Sequence, residues 1–267
     1  MRFIAKTTTN GVSEVVFTHD DIPGVLWSPV DAVGPRPLVL LGHGGGQHKK
    51  APGLVARAHR YVTARGFAVA AIDAPGHGDR PRTKDDERFV QSIRARMAAG
   101  EPIGHLIARK NASWAEQAVP EWHTVLDAVQ DLEIIGPGAP IGFCGLSLGS
   151  AIGIPFVADD PRITAAVLGL AGIAERTGDS LAAAAGRITV PLEFLLQWDD
   201  ELVPREAGLA LFDAFASREK TLHANPGRHL GVPAFELDSS ERFFVRHLSN
   251  ADADQRVTAG GKDHRPG

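Results

Sequence analysis

Short apolar runs alternate with stretches of helical periodicity along most of the chain. Five runs rich in aliphatic residues have the length of buried strands, and they cover residues 37–41, 67–73, 140–144, 163–170 and 191–196. Strands that are apolar on both faces are typical of parallel sheets covered by helices. The pattern therefore predicts an α/β fold, with a mostly parallel central sheet of about eight strands and helices on both faces.

The remaining elements follow from shorter patterns. Residues 15–17 and 22–27 predict an early antiparallel hairpin, and residues 220–223 predict the last strand. Apolar residues at helical spacing predict four crossover helices, at 51–64, 122–132 (with Pro120 near its first turn), 207–216 and 240–248.

Two segments, 80–121 and 171–187, exceed the usual length of a loop. The first contains a charged helical stretch over 84–98, in which Phe89, Ile93 and Met97 share one face. It breaks at residues 100–102 and resumes near residue 105. An apolar stripe of this kind belongs either to the core or to a cap whose face lines a substrate pocket. We predict a small helical cap over 80–121 and count the three apolar residues as candidate substrate-binding residues.

Composition narrows the function classes. The formal net charge is −4 and no block of Lys or Arg stands out, so we expect neither nucleic acid nor a membrane as a partner. The one cysteine, Cys144, excludes an intrachain disulfide. Without a signal-like start or a long apolar span, a cytoplasmic location is expected. We predict a single domain over 1–249, monomeric or homodimeric, and a flexible tail over 250–267, which is polar and rich in glycine.

The sequence Gly-Leu-Ser-Leu-Gly at 145–149 is the strongest chemical signal. It follows an apolar strand pattern and precedes a segment of small residues, so it has the strand–turn–helix context of a nucleophile elbow. Outside that context the pattern is also compatible with a flexible glycine loop. We predict that Ser147 is a nucleophile.

A serine hydroxyl needs a base, and the base needs a carboxylate to orient it. In strand–turn–helix nucleophile sites, the acid and then the histidine follow the serine along the chain. Asp200 follows the strand at 191–196, and its neighbour Asp199 is the alternative. Among three later histidines, His229 lies in the loop after the last strand, whereas His223 falls within that strand and His247 within the last helix pattern. We predict Ser147, Asp200 and His229 as the catalytic residues.

Donors for an oxyanion complete the candidate site. The backbone N–H of Leu148, directly after the nucleophile, is one candidate, and Gly45 is the other. Gly45 lies in the His-Gly-Gly-Gly sequence at 43–46, and its neighbours Gly44 and Gly46 are candidate substrate-binding residues. We expect His43 to orient this loop. Residues 75–79, with a His and an Asp, predict a turn and not a metal site, and we expect no metal and no cofactor.

These motifs resemble the α/β-hydrolase superfamily, and within it the branch of dienelactone hydrolases and prolyl-oligopeptidase-like esterases. The matching sequences are His-Gly-Gly at 43–45, Asp-Ala-Pro-Gly-His-Gly at 73–78, the elbow at 145–149, Asp-Glu-Leu-Val-Pro at 200–204 and Gly-Arg-His at 227–229. Dienelactone hydrolases proper have a cysteine at the position of Ser147. The resemblance implies hydrolysis of a small or medium ester, thioester or lactone through an acyl-enzyme. An acyltransferase and a non-catalytic binding protein are the alternatives.

Overall fold

The computed structural model describes residues 1–173 and 178–249. The predicted tail at 250–267 lies outside the described residues, as does part of the predicted insert at 171–187. Within the described residues, no helix is long and apolar enough to cross a membrane.

A nine-stranded sheet forms the centre of the described structure. Its strands are paired in the spatial order β1-β2-β3-β5-β4-β6-β7-β8-β9. The pairs β1–β2, β2–β3 and β3–β5 are antiparallel. The five remaining pairs, β5–β4, β4–β6, β6–β7, β7–β8 and β8–β9, are parallel. The strands span Arg2–Thr9 (β1), Val12–His19 (β2), Ile22–Pro29 (β3), Leu38–Gly42 (β4), Ala68–Ile72 (β5), Ile141–Leu146 (β6), Ile163–Gly169 (β7), Leu192–Gln197 (β8) and Lys220–Asn225 (β9). The predicted mostly parallel sheet and early hairpin are confirmed.

The strand that sequence patterns missed is β1. It pairs with β2 at the edge of the sheet, and each of its residues is exposed. Because neither of its faces packs on a core, the strand carries no alternation of apolar and polar residues that would reveal it. The sheet therefore has one strand more than the predicted number of about eight.

Seven helices accompany the sheet in the described part of the chain. They span Pro52–Arg65 (α1), Lys84–Ala98 (α2), Gly104–Gln130 (α3), Leu148–Asp159 (α4), Gly178–Ala185 (α5), Arg205–Ala214 (α6) and Phe235–Leu248 (α7). Side chains alternate along each buried strand, so that Leu38 and Leu40 of β4 join the core on the side of α3 to α6. Val39 and Leu41 join a second core on the side of α1 and α7. Helices on both faces are thus confirmed.

Two predicted helix boundaries are wrong. The helix predicted at 122–132 is the second half of α3, which begins at Gly104 and continues through Pro120. A proline within a helix costs about 3 kcal/mol, and the burial of Trp114, Ala118 and Trp122 along this helix offsets that cost. The last helix, predicted to start at residue 240, begins one turn earlier at Phe235. The predicted helix over 84–98 has the observed bounds of α2.

Candidate active site

Ser147 occupies the sharp turn between β6 and α4. Its backbone has φ 59° and ψ −115°, a conformation that is strained for a residue with a side chain. Its N–H donates to the carbonyl of Gly169 on the neighbouring strand β7, at 3.0 Å. The residue is also the N-cap of α4, so its hydroxyl lies near the positive end of a helix dipole. The predicted strand–turn–helix context of Ser147 is therefore present.

Close backbone contacts explain the two glycines of the elbow. A Cβ atom on Gly149 would lie 2.6 Å from the carbonyl oxygen of Gly42 at the end of β4. A Cβ atom on Gly145 would lie 2.6 Å from the carbonyl oxygen of Gly149. Ser150, which the sequence analysis did not single out, is fully buried. Its Oγ lies 2.6 and 2.7 Å from the carbonyl oxygens of Gly145 and Gly169, which share its one proton, and it accepts the backbone N–H of Gly169. These contacts fix the turn that presents Ser147.

The side chains of Ser147, Asp200 and His229, which come from three separate loops, lie in hydrogen-bond contact. The Nε2 atom of His229 lies 2.9 Å from the Ser147 Oγ, and its Nδ1 lies 2.7 Å from Oδ2 of Asp200. Both the Asp200 and the His229 side chains are buried. The other carboxylate oxygen, Oδ1, accepts the backbone N–H groups of Leu202 and Val203 at 2.8 and 2.9 Å. The carboxylate of Asp200 is therefore held from both sides, and it aligns the imidazole with the serine.

Asp199, the alternative acid, has a different contact. Its carboxylate accepts the backbone N–H of Gly227 at 3.2 Å, and its own N–H donates to the carbonyl of Gly227. The next acidic residue, Glu201, accepts the backbone N–H of His229 at 3.0 Å. Asp199 and Glu201 thus hold the loop that carries His229, while Asp200 alone of the three contacts the imidazole ring.

The two other candidate histidines are engaged elsewhere. His223 lies within β9, and its Nδ1 is 2.8 Å from Glu236 and its Nε2 is 3.7 Å from Glu193. These three side chains could offer ligand atoms within 4.8 Å of one another, and burial raises the pKa of Glu193 to about 7. His247 lies in α7, where its side chain is largely buried and packs on a phenylalanine ring.

The glycine loop at 44–46 begins at His43, whose side chain is buried. Its Nε2 accepts the backbone N–H of Ala74 at 3.0 Å, so Nδ1 carries the proton and donates to the carbonyl of Gly44 at 2.8 Å. Burial lowers the pKa of His43 to about 4. A neutral His43 therefore joins the loop after β4 to the loop after β5, which fits the orienting role expected for it.

A buried ion pair at the other end of this loop was not predicted. The Nζ atom of Lys49 lies 2.7 Å from Asp73, which is fully buried, and 2.6 Å from Asp79. The backbone N–H groups of Lys49 and Asp79 also donate to the Asp73 carboxylate. The sequence contains the Asp-Ala-Pro-Gly-His-Gly motif that begins at Asp73, but nothing in the pattern around Lys49 identifies the partner. The turn predicted over 75–79 belongs to this network.

A cavity of about 1110 Å³ opens at Ser147 and His229. Its lining includes the predicted residues Gly44, Gly45, Gly46, Phe89, Ile93 and Met97, together with Trp114 and Ile107 of α3. Phe89 packs edge-on against Trp114, with ring centroids 5.8 Å apart, so it contributes both to the core and to the cavity wall. Leu148 is buried behind the elbow. The apolar stripe on α2 therefore lines the cavity that contains the serine.

Comparisons with solved structures identify similar proteins. The chain is 35 % identical to a cold-adapted esterase from an Arctic intertidal metagenomic library, in its complex with PEG, with a TM-score of 0.75. The alignment covers 93 % of this chain and 100 % of that esterase. No protein-family profile matches the chain, and no curated protein matches it.

Two less similar structures share the fold. An acetyl xylan esterase from Paenibacillus sp. R4 is 18 % identical with a TM-score of 0.65, over 92 % of this chain and 88 % of that one. The esterase Pf2001 from Pyrococcus furiosus is 15 % identical with a TM-score of 0.63, over 89 % and 93 % of the two chains. The sheet and its helices, together with the cold-adapted relative, give the family: this chain belongs to the α/β-hydrolase esterases, which are carboxylesterase-type hydrolases acting on ester bonds.

Proposed function

We propose that the chain hydrolyses small to medium carboxylic esters through an acyl-enzyme formed on Ser147. The observation that carries this proposal is the unbroken line of hydrogen bonds from Asp200 through His229 to the serine Oγ, at 2.7 and 2.9 Å. The same acyl-enzyme chemistry extends to thioesters and lactones. Membership of the dienelactone hydrolase branch stays a prediction from the motifs.

In the first half-reaction the Ser147 Oγ attacks the ester carbonyl while its proton passes to Nε2 of His229. The imidazolium that forms donates from Nδ1 to Asp200, whose buried carboxylate stabilises the positive charge. When the tetrahedral intermediate collapses, the C–O bond breaks and His229 gives its proton to the departing alcohol. Water then repeats the sequence on the acyl-enzyme, and the serine hydroxyl is regenerated as the acid leaves.

The tetrahedral oxyanion needs preorganised donors. We assign the backbone N–H of Leu148, the first residue of α4, and the backbone N–H of Gly45. Gly45 is exposed to the cavity and a Cβ there would meet no atom within 4 Å, so the substrate carbonyl has space to approach the backbone. Gly44 and Gly46 flank the donor and contact the substrate at the same wall.

The cap residues set the size and polarity of the bound substrate. Phe89, Ile93 and Met97 give the cavity an apolar wall, and pockets of this size hold ligands of small to medium mass. Met97 is 62 % exposed, so its side chain is available for a substrate to cover. We therefore assign the apolar part of an ester substrate to this wall.

Replacement of Ser147 by alanine tests the mechanism. We expect Ser147→Ala to abolish both labelling by a fluorophosphonate and the turnover of short p-nitrophenyl esters. Ser92→Ala, which removes an exposed serine from α2 next to the cavity wall, is the matched control and should keep both. Labelling of the Ser147→Ala protein would contradict the assignment. Product analysis with added alcohols or thiols separates transfer to water from transfer to another acceptor.

A further inference from the structure

The cavity at Ser147 is lined from both sides of the sheet. Phe89 of the cap packs on the core beside α3, whereas a second set of lining residues belongs to the core beside α1 and α7. This set comprises Leu54, Cys144, Leu146 and Val232, and Arg57 of α1 also lines the cavity. An ester has two halves, and a cavity with two sides offers each half its own surroundings. Of the three arginines that line the cavity, Arg57 is partly buried, whereas Arg82 and Arg228 are exposed.

Arg57 belongs to α1 and is held in place by neutral groups. Its Nη1 donates to the Tyr61 hydroxyl at 3.1 Å and to the Ser240 hydroxyl at 2.5 Å. The Nε and Nη2 atoms make no hydrogen bond to any described residue. Neither atom is completely buried. Half of the guanidinium therefore anchors the side chain, and the other half has donors available.

Arg57 forms no salt bridge with a carboxylate in the described part of the chain. None of the described carboxylates lies within 4.0 Å of its guanidinium, whereas the similarly sheltered Lys49, Arg80 and Lys110 each have one. Burial raises the pKa of its neighbour Tyr61 to about 12, and it raises the pKa of the Cys144 thiol. Both groups are therefore neutral near pH 7.

Glu193 acts on Arg57 electrostatically and raises its pKa, but it lies more than 4.0 Å from the guanidinium, and burial raises the pKa of Glu193 itself to about 7. One carboxylate oxygen of Glu193 lies 3.7 Å from Nε2 of His223. The three carboxylates that line the cavity also have partners, because Asp86 pairs with a lysine and Glu101 and Glu201 each pair with an arginine. A sheltered cation without a partner costs free energy, which an anionic ligand with planar geometry would recover.

We propose that Arg57 binds a carboxylate of the substrate, so that the preferred esters carry a free carboxylate on one half. This inference rests on the proposed function of Ser147. A single guanidinium with two available donors matches the bidentate geometry of one carboxylate. The apolar half of the same ester occupies the side formed by the cap.

Matched pairs of esters test the proposal and identify the half that bears the charge. For the acyl half, hydrolysis of monoethyl adipate is compared with that of ethyl hexanoate. For the alcohol half, 4-acetoxybenzoate is compared with 4-methylphenyl acetate. We expect the wild-type protein to favour the anionic ester in one pair by about 10- to 100-fold in kcat/KM, the range of a charge-assisted hydrogen bond. The preference should lie mainly in KM.

Variants then assign the preference to Arg57. We expect Arg57→Met to lose the ratio between the anionic and the neutral ester, and Arg57→Lys to restore part of it. Arg82→Met is the matched control, since Arg82 lines the same cavity but is exposed to solvent, and it should keep the ratio. Ser240→Ala, which removes one anchor of Arg57, reports on the structural role of the α1–α7 contact.

The results separate this inference from the proposed function. Wild-type protein that shows no preference for the anionic ester in either pair overturns the role of Arg57, even when Ser147-dependent hydrolysis is intact. An anionic preference that survives in Arg57→Met, or disappears in Arg82→Met, overturns it as well. Because the substrate comparison uses the wild-type protein, an absent preference overturns the inference whether or not each variant folds.

Discussion

The buried imidazole of His43 makes the stability of the protein depend on pH. Burial holds the pKa of this histidine at about 4, below its ordinary value of 6.5. In the unfolded chain the ring binds a proton below pH 6.5, whereas in the folded protein it stays neutral down to about pH 4. Between these values the unfolded state holds more protons, so the free energy of unfolding falls as the pH is lowered.

The size of this effect follows from the two pKa values. Each factor of ten in proton affinity corresponds to about 1.4 kcal/mol, so the displacement from 6.5 to about 4 corresponds to about 3 kcal/mol when it is fully expressed. Between pH 7.5 and pH 4.5 the contribution amounts to about 2.5 kcal/mol. The loss has a structural form, because a protonated Nε2 can no longer accept the backbone N–H of Ala74.

His43→Gln removes the titration and keeps a side-chain acceptor for Ala74. Urea unfolding followed by tryptophan fluorescence at pH 7.5 and pH 4.5 gives the free energy of unfolding of each protein. We expect the decrease between the two pH values to be smaller in His43→Gln than in the wild type by about 2.5 kcal/mol. His48→Gln, which removes an exposed imidazole from the same loop, should show the wild-type decrease. Equal decreases in the wild type and His43→Gln would refute the reasoning.

Three further substitutions test the site and its supports. Asp200→Asn should lower kcat by about 10³- to 10⁴-fold, because the carboxylate no longer holds the His229 imidazole in the tautomer that accepts the serine proton. Asp199→Asn should lower kcat less than about tenfold in the same steady-state assay. Lys49→Met leaves a buried carboxylate without its cation and should lower the free energy of unfolding in urea by about 3–5 kcal/mol. Gly149→Ala should reduce the yield of folded protein and its melting temperature, while Gly53→Ala, whose Cβ meets nothing within 4 Å, should not.

The sequence predicted the candidate catalytic residues because each has a local signal. Ser147 lies between two glycines after an apolar strand, and Asp200 and His229 each follow a strand pattern. In a parallel sheet, the carboxyl ends of the strands lie at one edge, so three separate loops are brought together there. The elbow and the strand ends therefore pointed to three residues that the structure places within hydrogen-bond distance of one another, and the structure adds that Asp200, and not Asp199, contacts the imidazole ring.

The missed features depend on contacts between distant parts of the chain. Lys49 and Asp73 pair across 24 residues, and Arg57 contacts Ser240 across 183. A lysine or an arginine in a helical or loop pattern is usually a solvated residue, so its pairing is not visible in a single sequence. The strand β1 was missed because its residues are all exposed. For Lys49 and Arg57 the information lies in tertiary packing, and for β1 it lies in pairing with the adjacent strand β2; neither is visible in local periodicity.

The loop proposed to hold the oxyanion is anchored at both ends to the same short segment, the two consecutive residues Asp73 and Ala74. At its start, His43 accepts the backbone N–H of Ala74, and at its end Lys49 binds Asp73 through both its backbone and its side chain. The glycines between them have little packing of their own, since a Cβ on Gly45 would meet no atom within 4 Å. Their position therefore depends on the two anchors. Donors that are held before the substrate arrives act in the transition state and not in ground-state binding. Loosening either anchor should consequently lower kcat more than it raises KM.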